Sequence, residues 1–248
     1  MTRLFSIVAF ACSLNVSSIA QADGVLVFGA TGQLGAPHVR MLLEKGETVT
    51  AFVRPTSSRH RLQGMDGVRY AVGDLLDARS VTDAIKQTRP RVVIDTSARR
   101  GEQMTSGQDF YAQAMENIVN ASRANRVKQI IIHSSVGVRG SAKNILKEQF
   151  GFDTESSNIR DKGQAEIYLE NSGVGFTIIR NGLLEFEPVE PTGKGYLSQD
   201  MNSFGRITRT DLAALSLGCM DNPDCMGKIY HAADDSFVGM RPEREGGE

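Results

Sequence analysis

Val25-Leu26-Val27-Phe28-Gly29-Ala30-Thr31-Gly32-Gln33-Leu34-Gly35 joins four β-favouring apolar residues to a loop with glycine at every third position. The pattern then changes to helical spacing from Gln33 to Lys45, so the stretch predicts a strand, a tight turn and a helix start. Gly29 lets the chain turn sharply, Gly32 lets the backbone pass close to a pyrophosphate, and Gly35 lets helix pack against strand. The free N–H groups and partial positive charge of a helix N-terminus would face that anion. A second strand, Thr48 to Val53, arrives at the distance expected of a βαβ unit. Nucleotide binding is therefore the working expectation, against the plainer reading of a structural loop.

Outward from this unit, strands and helices alternate. Short strands are predicted at Val68 to Val72, Val92 to Asp95, Val127 to Ile132, Phe176 to Ile179 and Lys228 to Ala232. Helices are predicted at Ala78 to Gln87, Phe110 to Ala124, Ile159 to Asn171 and Thr210 to Met220. Tyr111, Met115, Ile118 and Val119 form one apolar stripe, which makes Tyr111 and Met115 core residues by default. Arg139 to Ser157 reads as a polar connection, and Asn181 to Ile207 as an irregular section able to cap a cofactor cleft. Alternation of this kind implies an α/β fold, a doubly wound parallel sheet (Rossmann-like) in a single domain.

With 248 residues, 40% hydrophobic and 23% charged, the composition is that of a globular chain. A formal charge of -1 argues against a sequence-independent nucleic-acid binder. Arg59-His60-Arg61 is a local basic cluster. Residues 1–22 have a different character: Arg3, an apolar run from Leu4 to Ala11, and Ala20-Gln21-Ala22 immediately before Asp23. This is the form of a secretory signal peptide. An extra N-terminal helix or anchor is the alternative, although Ser13, Asn15, Ser17 and Ser18 interrupt any span. The chain is thus divided into a signal at 1–22, an NAD(P)-binding domain at 23–240 and a polar tail at 241–248, with a periplasmic or secreted location if the signal is cleaved and a cytoplasmic one if it is not. Cys219 and Cys225, flanking an Asn222-Pro223 turn, could pair in an oxidising compartment or stay as two buried thiols. No metal site is assigned, and the sequence specifies no oligomeric state.

Residues at the predicted strand ends carry the chemistry. In dinucleotide folds an acidic residue about twenty positions past the first glycine grips the ribose 2′-hydroxyl, whereas an arginine suits a 2′-phosphate. Here the second strand runs into Arg54, followed by Ser57, Ser58 and Arg59, so NADP(H) is expected ahead of NAD(H). Asp74, just past the third strand, could accept from an adenine amino group or cap the next helix. His133-Ser134-Ser135 ends the fifth strand, and a histidine there is more often a satisfied core residue than a proton carrier.

The glycine loop, the strand ending at Arg54, Gly73-Asp74-Leu75, Ser134-Ser135, and Lys162-Gly163-Gln164-Ala165-Glu166 leading to Gly175-Phe176-Thr177-Ile178-Ile179-Arg180 together resemble the atypical short-chain dehydrogenase/reductases. The NAD(P)-binding NmrA-like and isoflavone-reductase-like branch is the nearest in pattern, over about Gly24 to Asp234. The resemblance implies that Gly29, Thr31, Gly32, Gln33 and Leu34 hold the pyrophosphate, Arg54 the 2′-phosphate, and Asp74 with Leu75 the adenine. It also implies that Ser135 orients a substrate carbonyl and that Lys162 binds the nicotinamide ribose and adjusts proton transfer. The common dyad of that group sets a tyrosine four residues before the lysine, so that both share one helix face and the lysine charge acts on the phenol. Asn158 stands there instead, and an amide cannot be that acid. Ser135, Lys162, Tyr196 or a bound water are the remaining proton sources. Asn181 also stands where relatives often carry proline. The expected activity is an NADP(H)-dependent oxidoreductase acting on a small carbonyl or conjugated substrate. The alternatives are a non-catalytic NADP(H)-sensing or scaffold protein of the NmrA-like type, or an exported fold that has lost its cofactor, since NADPH is scarce outside the cytoplasm.

Overall fold

Strand β1 (Val25–Phe28) is buried at every residue, with Val25 and Val27 in one apolar layer and Leu26 and Phe28 in the other. The period of two places a β-branched pair and a larger pair on opposite faces, so the strand can only sit inside a sheet covered on both sides. The computed structural model describes residues 24–99, 109–152, 154–186 and 188–237. The signal reading of 1–22 and the tail at 241–248 lie outside the described residues.

β1 pairs in parallel with β2 (Val49–Val53) on one side and β4 (Val92–Asp95) on the other. β3 (Arg69–Val72) lies outside β2, and β5 (Gln129–Ser135), β6 (Gly175–Asn181) and β10 (Lys228–Ala233) continue beyond β4. The order β3-β2-β1-β4-β5-β6-β10, with the short β8 (Tyr196–Ser198) outermost, is the expected doubly wound arrangement. The order in which strands are added to the sheet reverses between β1 and β4, and such a switch point opens a crevice at the carboxyl edge of the strands. Helices α1 (Gly35–Glu44) and α6 (Arg209–Gly218) cover the Val25–Val27 face, while α2 (Ala78–Thr88), α3 (Phe110–Ala124) and α5 (Ser157–Glu170) cover the other.

Two sequence expectations need correction. The polar stretch 139–157 contains helix α4 (Lys143–Phe150), whose anchor is Leu146 against Val136 and Ala142. One buried leucine gives no legible helical period. The section 181–207 is built of three short strands: β7 (Leu183–Leu184), β8 (Tyr196–Ser198) and β9 (Arg206–Ile207). β8 closes the sheet antiparallel to β10, and β7 pairs with β9. Strands of two or three residues are too short to show alternation. Among the described residues, none of this section lines the cleft at the switch point.

Helix α3 starts without help from its own N-cap, since the Asp109 side chain makes no capping bond. Asp161 on α5 does the work instead, accepting from the backbone N–H of Tyr111 at 2.9 Å and of Ala112 at 2.8 Å. The same carboxylate pairs with Arg99, which follows β4. Strand end and both helices are thereby fixed together by one buried ion pair.

Candidate functional site

The glycine loop is closed by backbone contacts that leave no room for side chains. Gly29 has φ +71°, and a Cβ there would lie 2.7 Å from the backbone N of Ser97. A Cβ on Gly35 would lie 2.2 Å from the Gly29 carbonyl oxygen. Gly32 N–H donates to that same oxygen at 2.8 Å, making the turn. Helix α1 then begins with no side-chain cap at Leu34; its Ala36 N–H donates to the Gly32 carbonyl at 3.0 Å and Pro37 has none to give, so the backbone that faces the cleft is that of the loop before the helix. Thr96, past the end of β4, donates through its hydroxyl to the Phe28 carbonyl at 2.9 Å and ties the opposite wall to β1.

Between these walls lies a cleft of about 300 Å³. Gly29, Thr31 and Gly32 form its floor, Thr96, Ser97, Ala98 and Phe110 one side, and Arg54, Asp74 and Leu75 the far end. Gln33 and Leu34, also expected to touch the pyrophosphate, lie outside this lining, and the Leu34 carbonyl is taken by His38. Asp74 uses one carboxylate oxygen on the N–H of Leu76 at 2.9 Å, in a turn of its own. Capping of α2 falls to Asp77, which accepts from Arg79 N–H. Thr56, Ser57, Ser58, His60 and Arg61 also line the far end. They are placed there by a short 3-10 turn, His60–Leu62, whose Leu62 is buried under α1. The basic cluster at 59–61 was visible in the sequence, but nothing in its spacing shows that it folds back toward Arg54.

Ser135 ends β5 and donates to the neighbouring Val136 carbonyl at 3.0 Å. Ser134, 4% exposed, has a buried hydroxyl with no hydrogen-bond partner among the described residues. Lys162 projects from α5 with its Nζ 4.1 Å from the ring centroid of Tyr111. One turn earlier the side-chain carbonyl of Asn158 is buried with no hydrogen-bond partner among the described residues. Tyr111 is thus more than a core residue: it is half-buried, and its phenol oxygen accepts from the Arg99 N–H at 3.2 Å. Met115 is core, as expected. Tyr196 sits on edge strand β8, donating to Asp235 at 2.9 Å. Burial and that bond push its phenol above the ordinary value.

Behind the cleft, His38 and His133 face each other with their Nε2 atoms 3.1 Å apart. His38 donates through Nδ1 to the Leu34 carbonyl at 2.8 Å, which leaves its Nε2 to accept from His133. The side-chain amide of Asn181 lies 3.2 Å from the His133 Nδ1. Burial lowers His38 to about 4. Burial, then the neighbouring His38 and Lys162, holds His133 well below its ordinary value. Both rings are held toward the neutral form, and Asn181 sets beside His133 a polar side chain that a proline could not supply. Burial also raises the carboxyl of Asp95, opposed by hydrogen bonding from Ser97 and by the charge of Lys162. Among the described residues no His, Cys, Asp and Glu group could hold a metal, and no helix is long and apolar enough to cross a membrane.

The residues present fit a dinucleotide. The loop holds backbone where a Cβ would collide, Gly29, Thr31 and Gly32 line the cleft, and the far end is cationic. The fold and site define a doubly wound α/β dinucleotide-binding protein. The family described as NAD(P)H-binding matches residues 29–223, and the chain belongs to that family. The expected place among the atypical short-chain dehydrogenase/reductases is borne out. An uncharacterised chloroplastic protein of Arabidopsis thaliana is 29% identical over 210 residues, covering 83% of this chain and 74% of the relative. An anaerobillin reductase from Escherichia coli O157:H7 superposes with a TM-score of 0.70 at 24% identity, over 87% of this chain and 98% of that one. A short-chain dehydrogenase/reductase of Veillonella parvula DSM 2008 in complex with NADP gives 0.69 at 17% identity, over 88% and 98% of the two chains. At these identities the two solved structures share the fold. Among the curated relatives it matches, the chain spans from 35% to 74% of the relative's length.

Proposed function

We propose that the protein is a reductase that binds NADP(H) ahead of NAD(H) and reduces a small carbonyl or conjugated acceptor. The observation that carries the preference is the far end of the cleft. Arg54, at the end of β2, is joined there by Arg61, Ser57 and Ser58, and among the described lining residues Asp74 is the sole carboxylate. A 2′-phosphate needs cations and hydroxyls at that place, whereas a bare ribose is best held by a carboxylate at the end of β2. The Veillonella protein of the same fold has NADP as its bound dinucleotide.

In this reading Gly29, Thr31, Gly32, Gln33 and Leu34 hold the pyrophosphate through backbone N–H groups, and Asp74 with Leu75 meets the adenine. Lys162 holds the nicotinamide ribose, and Ser135 turns its hydroxyl from the Val136 carbonyl to orient the acceptor. The dinucleotide, when bound, supplies the hydride. Arg54→Glu places a carboxylate against the 2′-phosphate and is expected to weaken NADPH at least ~10-fold more than NADH by fluorescence titration. Equal losses would reject the preference. Oxidation of NADPH across a panel of quinones, aldehydes and enones tests the activity itself; tight binding with no oxidation would return the protein to a cofactor-sensing role.

The signal-like N-terminus and the bonded pair Cys219–Cys225 support export. The N-terminal residue of the natively produced protein checks this: Asp23 is expected, and an intact Met1 would reject the cleaved signal.

A further inference from the structure

We infer that Tyr111 delivers the proton in this reductase, in place of the tyrosine position that Asn158 occupies. The inference rests on the reductase reading above and adds a residue to it. Tyr111 belongs to a different helix from Lys162, yet the two are locked together. Its backbone N–H is held at 2.9 Å by Asp161, the residue before Lys162, and the lysine Nζ stands 4.1 Å from the phenol ring centroid. Its neighbour Phe110 lines the cleft, as does Ala98 beside Arg99. Tyr111 thus follows directly on a residue of the cleft wall and carries its phenol ring beside Lys162.

The hydrogen bond at the phenol oxygen has the polarity the chemistry needs. Arg99 N–H donates to it at 3.2 Å, so the hydroxyl keeps its own proton, which it gives to none of the described residues. When that proton leaves, the backbone N–H is already aimed at the oxygen carrying the new charge. The charged groups facing the ring are Lys162, and Arg99 with its guanidinium carbon 5.6 Å from the centroid and its partner Asp161. Asp95 and His133 lie beyond Lys162, whose charge reaches both. Of the competing groups, Tyr196 is engaged on Asp235 at edge strand β8, and Ser135 is already assigned to orienting the acceptor.

The step balances for a carbonyl acceptor. Hydride arrives at carbon, the C=O electron pair moves to oxygen, and that oxygen takes the Tyr111 proton to give the alcohol. NADPH leaves as NADP⁺, and the phenolate recovers a proton from water.

Tyr111→Phe keeps the ring, its packing and its contact with Lys162 while removing the proton, so it separates the role from the fold. With 9,10-phenanthrenequinone as acceptor, kcat is expected to fall about 100-fold, in the range of general acid catalysis. The Kd for NADPH by fluorescence is expected to stay within about 2-fold, a change below 0.5 kcal/mol. A second readout needs no turnover. NADP⁺ brings a positive nicotinamide beside the phenol, so it should shift the alkaline tyrosine difference absorbance of the wild type to lower pH, and the shift should vanish in Tyr111→Phe. Wild-type turnover that Tyr111→Phe leaves intact, or a tyrosine titration indifferent to NADP⁺, overturns the inference while the reductase reading stands. Absence of wild-type turnover across the acceptor panel overturns the reductase reading and the proton role with it.

Discussion

At the scale of single residues, the buried histidine pair is where side chains feel the fold most strongly. His38 stands on α1 and His133 at the end of β5, and each removes the other from water. With His38 lowered from 6.5 to about 4, the unfolded chain binds a proton between these values that the folded chain does not. Stability contributed by the neutral ring is thus complete above pH 6.5 and is lost as pH falls toward 4, by up to about 3 kcal/mol. Thermal unfolding should show a falling Tm from pH 7 to 4.5. His38→Asn, which can still donate to the Leu34 carbonyl, should show a shallower fall, and an equally steep one would remove His38 from the account. Arg54 was legible from its place after a strand, because a motif with a fixed distance points to it. The pairing of His38 with His133 was not, since 95 residues separate them and no local pattern links a helix histidine to a strand histidine.

At the scale of elements, the opening strand, turn and helix act as one unit. Packing of α1 against β1 is so close that Gly35 has no space for a methyl group beside the Gly29 carbonyl. Gly35→Ala must push the helix start away from the loop. It should cost about 1–3 kcal/mol of stability in urea unfolding, as over-packing does, and weaken NADPH at least ~10-fold, because the loop backbone that lines the cleft is displaced with the helix start. Retention of full affinity would separate the loop from the ligand. This unit could be read from sequence because its cause is local: glycine spacing and a change of period. The start of α3 could not, because its capping carboxylate, Asp161, comes from another helix. Tyr111 read as part of an apolar stripe for the same reason, since periodicity assigns a face to a residue but does not say that a lysine will cover it.

For the whole molecule, the amino edge of the sheet provides stability and the carboxyl edge provides the site. Cys219 and Cys225 are joined with Cα atoms 5.4 Å apart, between α6 and β10. The sheet grips both: Gln129 donates to the Cys219 carbonyl and Thr177 to the Cys225 carbonyl, each at 2.9 Å. Replacing both cysteines by serine opens a six-residue loop and should cost about 2 kcal/mol in urea unfolding. NADPH affinity should be unchanged, because Gln129 and Thr177 belong to the strand starts and the cleft to the strand ends. A parallel loss of affinity would show that the two edges are coupled.

Taken by itself, the sequence determined the alternation of strands and helices, the dinucleotide loop and the arginine at the end of β2. Each is set by backbone sterics or side-chain period within a few residues. Only the tertiary structure decided which distant groups meet: Arg61 beside Arg54, Asn181 beside His133, and Lys162 over Tyr111. Those contacts depend on how helices from separate βα units settle on a common sheet, a choice made by the packing of the whole core and not by any one stretch of chain.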